Sequence, residues 1–479
     1  MAQSGRLSGS GSPPGALGGY ARGRMSARLA VETIAARAAS SLSRLVGTGG
    51  GTTLPGKLLW KLDPSAIDAL AARLPQGAAV VSATNGKTTT TAMTAEILES
   101  TWRLAWNRSG ANLVSGVAST LLAERGAELG LLEVDEGALP EVVRRVRPRA
   151  LLLGNLFRDQ LDRYGELELI AERWRAATAA LPPDTVLVVN GDDPQVGDLA
   201  RGRSGAIAFG IDDPRHARPG LQHAADSRYC IVCGTPYDFR AAYVGHLGDY
   251  HCRACGHSRP QLQVRACEIE LDGLRSVSFT IETPGGATRV RLPLPGLYNV
   301  YNALGAASLA GSLGAPLDEI RAGLERFDAA FGRSERIAVG DKAMLVLLIK
   351  NPAGANEVVR TLEEAGRPPV LLIALNDAIA DGQDVSWIWD VDLEPLLARA
   401  DRLIVSGSRA AELGVRCVYG GFSEADLEVE PDLERALDLG LQLTDPGDDL
   451  IVLPTYTAML NLQRIVTGRG LARPYWERT

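Results

Sequence analysis

The chain runs to 479 residues with 46% hydrophobic and 22% charged side chains and a formal net charge of −7. That length exceeds a single core and points to about three domains, while the acidic balance supplies no basic field for nucleic acid. No apolar run approaches the roughly 20 residues that span a bilayer, and the N-terminus lacks the apolar core of a secretory signal, so a cytoplasmic protein is expected.

Residues 1–25, with Gly9-Ser10-Gly11-Ser12-Pro13-Pro14-Gly15, are rich in Gly, Ser, Pro and Arg. Such a segment buries too little apolar surface to offset its ordering, so disorder is expected, and Met25 is a second candidate start. From Ala27 to Leu45, apolar Leu29, Ile34, Leu42 and Leu45 are interspersed with Arg28, Arg37 and Arg44. This fits a loosely amphipathic helix that packs on the next domain, with a membrane-surface role as the alternative.

Val80-Val81-Ser82-Ala83-Thr84-Asn85-Gly86-Lys87-Thr88-Thr89-Thr90 is an apolar run that stops at a turn and reopens as a helix. It reads as a phosphate-binding loop: N–H groups at the helix start face an anion, Gly86 lets it approach, Lys87 adds a charge, and the Thr88 hydroxyl can ligate Mg²⁺. The general pattern G-x-x-x-x-G-K-[ST] asks for Gly at position 81, where this chain has Val81. An ordinary strand-turn-helix connection is the alternative.

Short apolar runs at Ala78–Ser82, Leu129–Val134, Ala150–Leu153, Val186–Val189 and Ile207–Phe209 alternate with helix-like segments, the pattern of a parallel sheet covered on both faces. Ligands bind at the strand C-termini of such sheets. Three of these runs end in polar clusters: Glu133-Val134-Asp135-Glu136, Asn155 with Arg158-Asp159-Gln160-Leu161-Asp162, and Asn190-Gly191-Asp192-Asp193-Pro194. Acidic turns are often merely solvated, but three behind a Gly-Lys-Thr turn point to a nucleotide site with Mg²⁺.

Cys230-x₂-Cys233 and Cys252-x₂-Cys255 are separated by residues 234–251, and Gly234 and Gly256 follow the second Cys of each pair. This spacing reads as a structural Zn²⁺ ribbon rather than two disulfides, and four thiolates leave no open position for catalysis. Cys267 and Cys417 read as buried rather than reactive. All five histidines, His216, His223, His246, His251 and His257, lie within or just before the ribbon. Nucleophile–histidine pairs therefore cannot be built from the main body, and its chemistry must rest on phosphates, Mg²⁺, Lys, Arg and carboxylates.

Past the ribbon, Val277–Ile281 and Thr288–Leu292 suggest a hairpin. Pro295-Gly296-Leu297-Tyr298 then opens an Ala-rich helix on which Asn299 and Asn302 share one side. From Ala343 a second alternation begins, with strands expected at Ala343–Ile349, Pro369–Leu375, Arg402–Val405, Arg416–Tyr419 and Asp449–Leu453, a second α/β domain with its own core. Its polar turns are Lys350-Asn351-Pro352-Ala353-Gly354 and Asn376-Asp377-x₃-Asp381-Gly382-Gln383-Asp384-Val385-Ser386-Trp387. Trp387 and Trp389 read as core or interface aromatics.

Thr84-Asn85-Gly86-Lys87-Thr88-Thr89, Glu133, Asn155 with Asp159-Gln160-Leu161-Asp162, Asn190-x-Asp192-Asp193, Asn299-Val300-Tyr301-Asn302 and Gly332-Arg333 together resemble the ordered motifs of the Mur ligases and folylpolyglutamate synthases. Those enzymes phosphorylate a carboxylate with ATP and let an amine displace the phosphate. The ribbon, the Asn351-Pro352-Ala353-Gly354 turn and Asp381-Gly382-Gln383-Asp384-Val385-Ser386-Trp387 resemble one branch, the MurT synthetase subunits of lipid II isoglutaminyl synthase. The resemblance runs from about residue 26 to 470.

It implies a Mur-ligase-like central ATPase domain over 26–335 with mostly parallel sheet, a zinc ribbon at 226–260 inside it, and a Rossmann-like α/β domain over 336–479. It implies that Lys87 and Glu133 serve catalysis. Thr84, Asn85, Gly86, Lys87, Thr88, Thr89, Asn190, Asp192, Asn299, Asn302 and Arg333 hold ATP, Thr88 and Glu133 hold Mg²⁺, and Cys230, Cys233, Cys252 and Cys255 hold Zn²⁺. The implied reaction amidates the D-glutamate α-carboxylate of lipid II at the cytoplasmic membrane face. A GatD-like glutaminase subunit would supply ammonia along with a Cys and a His, and Asp384 would reach across to orient that His. A stand-alone amino-acid ligase of the Mur or folate type is the alternative, and a zinc-ribbon nucleic-acid adaptor with a vestigial ATPase loop is a third reading that the acidic charge opposes.

The chain also departs from the wider family. Asp159-Gln160-Leu161-Asp162 replaces Asp-His-Leu-Asp, and Trp174 falls where many relatives carry a carbamylated Lys; both changes remove ligands or neighbours of a second Mg²⁺. Ala83 replaces the usual Gly, Thr455 stands where the branch often has Asn, and the short stretch before Ala78 leads to the expectation that the UDP-binding domain of typical Mur ligases is absent.

Overall fold

The structure, a computed structural model, describes residues 54–471 apart from 109, 125, 160–166, 223–224, 329–332 and 367–369. The N-terminal segment, the helix expected over Ala27–Leu45, Gln160-Leu161-Asp162 and the Arg333 side chain lie outside the described residues. The expected parallel alternation begins with β1 (Ala78–Ser82), β2 (Leu104–Trp106), β3 (Leu129–Glu133), β4 (Ala150–Leu153), β5 (Val186–Asn190) and β6 (Ile207–Ile211). A separate antiparallel hairpin follows, β7 (Asp238–Val244) and β8 (Leu247–His251), and then β9 (Val264–Asp272), β10 (Ser276–Thr283) and β11 (Gly286–Leu292). Apart from the hairpin, these strands form one sheet in the order β11-β10-β9-β6-β5-β4-β1-β3-β2. The β2-to-β6 part and the β6–β9 pair are parallel, while β9, β10 and β11 are antiparallel.

Side-chain alternation along these strands splits the core in two. Ala79 and Val81 of β1, with Leu131 and Leu152, face the helices Lys87–Leu98 and Leu297–Ser312. Ala78 and Val80, with Leu132, Leu151 and Leu153, face the helices Leu54–Leu62, Val114–Ala123, Leu139–Val146 and Leu167–Ala179. Burial on both faces is why β1, β3 and β4 read as continuous apolar runs.

The second sheet contains β12 (Arg333–Val339), β13 (Lys342–Leu347), β14 (Val370–Ala374), β15 (Arg402–Ser406), β16 (Leu427–Val429) and β17 (Asp449–Pro454), in the order β12-β13-β17-β14-β15-β16. Its β13-to-β16 part is parallel, and β12 pairs antiparallel with β13. Leu371, Ile373, Leu403 and Val405 build one core, and Val370, Leu372, Ile404 and Val452 the other.

One expected strand is corrected: Arg416–Tyr419 is the end of the helix Ala410–Tyr419. The expected strand was four residues long, but the apolar positions that are buried are Ala410, Leu413, Gly414 and Cys417, at helical spacing, with Arg416 buried beside them, while Val415 and Tyr419 are exposed. Trp387 packs on the second domain's core, and exposed Trp389 stands edge-on to Tyr419 with the Arg416 guanidinium over its ring. No helix among the described residues is long and apolar enough to cross a membrane.

Candidate active-site cleft

The C-terminal ends of β1, β3 and β4 open onto a cleft of about 910 Å³ between the two sheets. At its floor, β1 turns through Ala83–Asn85 into the helix Lys87–Leu98. Gly86 has φ of +83°, a conformation glycine alone adopts without strain, and a Cβ there would stand 1.9 Å from Asn302 Oδ1. The turn is fixed by Asn155, whose backbone O accepts from Thr84 N and whose side-chain Oδ1 accepts from Asn85 N, each at 2.9 Å. No side chain caps the helix start, so its first N–H groups remain free to meet an anion.

Thr88 Oγ1 donates to Glu133 Oε1 at 2.9 Å, and Asn112 Nδ2 donates to the same oxygen at 3.2 Å. Asn107 fixes the end of β3 by accepting from Glu133 N and donating to Glu133 O. Lys87 Nζ lies 3.0 Å from Glu136 Oε2 and donates to Ala83 O at 3.0 Å. Burial works against the Lys87 charge, but Glu136, Asp135, Glu133 and Asp159 outweigh it and hold the ammonium above the ordinary lysine range. Glu136 is held low: burial opposes its charge, and Lys87 with Lys350 overcomes that.

The opposite wall comes from the second sheet's domain. Lys350, just past β13, donates to Thr84 O at 3.1 Å and pairs with Asp159 Oδ2. Asn351 Nδ2 donates to Asn85 Oδ1 at 2.9 Å, and Asn351 also caps the helix Pro352–Ala365 by accepting from Gly354 N. Asn299 and Asn302 line the cleft, with Asn302 Nδ2 donating to Asn299 Oδ1 at 3.0 Å. Thr84–Thr89, Glu133, Asn299 and Asn302 are thus brought together.

Asn190 and Asp192, also expected at the nucleotide, are not among them. Neither lines the cleft; Asn190 Oδ1 accepts from Asp192 N, and Asp192 accepts from Arg259, Tyr301 and Ile211 N. Both side chains are buried, so they brace the sheet. Asp384 is exposed outside the cleft, and hydrogen bonding to Ser386 holds its carboxyl below the ordinary aspartate range. Three residues earlier, buried Asp381 lines the cleft and accepts from Thr457 N at 2.7 Å. Trp174 is fully buried and donates from Nε1 to Glu136 O at 3.1 Å, so it supports the acidic turn without supplying a metal ligand.

The donor sets fit the expected ions. Thr88 and Glu133 offer hard oxygen ligands suited to Mg²⁺, and Asp159 Oδ1 is buried there without a hydrogen-bond partner. The sulfurs of Cys230, Cys233, Cys252 and Cys255 lie within 4.8 Å of one another, with the 230–255 and 233–252 pairs at 3.5 Å. Tetrahedral Zn–S bonds of about 2.3 Å would set sulfurs about 3.8 Å apart. The two knuckles close through Gly234 N to Cys230 O and Gly256 N to Cys252 O, both glycines having positive φ.

Sequence reasoning missed how Lys350 and Asn351 close on the phosphate loop. Their turn was visible as a polar break after an apolar strand, but its partners Thr84 and Asn85 lie 266 residues away. Asn107 and Asn112 were also missed, because β2 has only three residues and left no readable strand before them.

The chain matches the Mur ligase middle domain family over residues 81–251 and the MurT ligase C-terminal family over residues 348–459. It is 33% identical to the lipid II isoglutaminyl synthase (glutamine-hydrolyzing) subunit MurT of Streptococcus pneumoniae, over 90% of this chain and 95% of that protein. It is 30% identical to the corresponding subunit of Staphylococcus aureus, over 88% and 94%. Among solved structures, a pseudomurein peptide ligase type C from Methanothermus fervidus superposes with a TM-score of 0.65 at 21% identity, covering 88% of this chain and 85% of that one.

Proposed function

Because the chain belongs to the MurT family of Mur-ligase-like synthetase subunits, we propose that it uses ATP to activate the D-glutamate α-carboxylate of the lipid II stem peptide and lets ammonia convert it to D-isoglutamine. The observation that carries this reading is the Thr88–Glu133 contact of 2.9 Å at the Gly86–Lys87 turn, in a cleft whose opposite wall is the MurT-type domain. The family assignment favours this reading over a stand-alone amino-acid ligase.

In the proposed reaction the helix-start N–H groups and Lys87 receive the β- and γ-phosphates, and the surrounding carboxylates keep Lys87 protonated. Asn299, Asn302 and Arg333 are assigned to the rest of the nucleotide. A carboxylate oxygen of the substrate attacks the γ-phosphorus, the bond to the bridging oxygen breaks, and ADP leaves. Ammonia then attacks the carbonyl carbon of the acyl phosphate, phosphate departs with the C–O electrons, and the nitrogen loses a proton. Mg²⁺ held by Thr88 and Glu133 would supply charge neutralisation at the phosphates.

No histidine lines the cleft among the described residues, and ammonia is scarce at neutral pH. A GatD-like glutaminase subunit, in contact with the surface around Asp384, is the proposed source of nitrogen, with Asp384 orienting that subunit's histidine. Lipid II places the reaction at the inner membrane face, and Zn²⁺ on the four cysteines is proposed as structural. The test is phosphate release from ATP with lipid II and ammonium: the reading requires release that depends on both, and release indifferent to lipid II would refute it.

A further inference from the structure

The helix Pro352–Ala365 carries two charged residues that are almost fully buried, Glu357 at the cleft lining and Arg360 further along the helix. Arg360 is 8% exposed and donates from Nη1 to Tyr243 O at 2.7 Å and from Nη2 to His216 O at 3.2 Å. Glu357 is 2% exposed and accepts from Gln222 Nε2 at 3.2 Å. Tyr243 belongs to the insertion that carries the four cysteines, and His216 and Gln222 lie in the segment that leads into it. A buried guanidinium whose Nε is held by Glu364 of its own helix while Nη1 and Nη2 donate to two carbonyls of another domain fixes the distance and angle between them.

Those carbonyls belong to a wedge. Ala241, Tyr243, Val244 and Leu247 of the β7–β8 hairpin pack in the first sheet's core together with Phe157 and with Ala353 of the second domain. In the hairpin turn, His246 is fully buried, 3.4 Å from Asp193 and against the Phe157 ring. Val244 and Leu247 line the cleft. At its other end the hairpin runs into the cysteine knuckles, whose small core is Cys230, Tyr237, Tyr250 and Cys252.

We propose that the four-cysteine insertion is a wall of the nucleotide cleft, and that Arg360 is the positioning residue through which it holds the second domain closed on the phosphate loop. The route is continuous: knuckles, β7–β8 hairpin, Tyr243 O, Arg360, the helix Pro352–Ala365, then Asn351 against Asn85. A metal that orders the knuckles thereby orders an element at the phosphate loop, although no cysteine lines the cleft.

The test compares the full-length chain with its Arg360→Met variant and with zinc-stripped wild type, measuring hydrogen exchange, zinc content and ATP kinetics. Arg360→Met removes the donors and keeps the bulk. It should leave zinc content unchanged, speed exchange in residues 238–247 and 352–356, and raise the KM for ATP about tenfold, the scale of lost hydrogen bonds to a charged group, with kcat at saturating ATP little changed. Zinc stripping should speed exchange in 352–356 while β14 and β17 stay protected. Should Arg360→Met fail to fold, the stripping arm decides alone. Unchanged exchange in 352–356 after stripping overturns the proposal, as does a rise that includes β14 and β17. So does an Arg360→Met chain with wild-type exchange and KM. None of the exchange readouts depends on which substrate is amidated.

Discussion

Lys87 Nζ lies 3.0 Å from Glu136 Oε2, with both side chains buried at the mouth of the phosphate loop. Removing one member of a buried pair leaves an uncompensated charge, typically about 3–5 kcal/mol. Lys87→Met should therefore lower thermal stability on that scale and abolish lipid II-dependent ATP hydrolysis. Calorimetry and phosphate release check the two effects separately.

The same pair sets a pH window. Lys87 titrates above its ordinary value of 10.5, so its contribution is complete below that pH and is lost as pH rises through the higher folded value. Glu136 titrates below its ordinary value of 4.5, so its contribution is complete above that pH and is lost as pH falls through the lower folded value. The pair's stabilisation should be flat between these limits and decline outside them. In Lys87→Met both declines should weaken, as measured by denaturant midpoints across pH.

Asp384 stands on the surface while Asp381, three residues before it, lines the cleft. An Asp that fixes an imidazole tautomer is worth about 10⁴ in rate in triad enzymes. Asp384→Asn should remove glutamine-dependent amidation and spare ammonium-dependent amidation. Equal loss of both rates would remove Asp384 from nitrogen supply.

Gly86 meets two constraints at once, a φ of +83° and Asn302 Oδ1 at 1.9 Å from any Cβ. The left-handed conformation alone costs an L-residue roughly 1–2 kcal/mol. Gly86→Ala should therefore weaken ATP binding about tenfold or more, as titration calorimetry would measure. An unchanged affinity would separate Gly86 from the nucleotide.

The phosphate loop was legible because its signal is local: strand, turn and Gly-Lys-Thr helix start are contiguous from Val80 to Thr90. The strands of both sheets were legible where both faces are buried, as in β1, β4 and β14. Short or peripheral strands such as β2 and β16 carried no readable period. Arg416–Tyr419 misled because a four-residue window cannot distinguish a strand from one turn of helix. Asn190 and Asp192 sit at a strand end as Glu133 does, and only the packing of Arg259 and Tyr301 turns Asp192 inward. Contacts such as Arg360 with Tyr243, 117 residues apart, leave no trace in a single sequence.

The most direct measurement is mass spectrometry of lipid II after incubation with the chain, a GatD-like glutaminase, ATP, Mg²⁺ and glutamine, with fragmentation to locate any change. The account predicts the small mass decrease of an acid becoming an amide, at the D-glutamate α-carboxylate, and its loss when ATP or the glutaminase is omitted. Unchanged lipid II in the complete mixture, or ATP turnover that instead adds an amino acid without any partner, would contradict it.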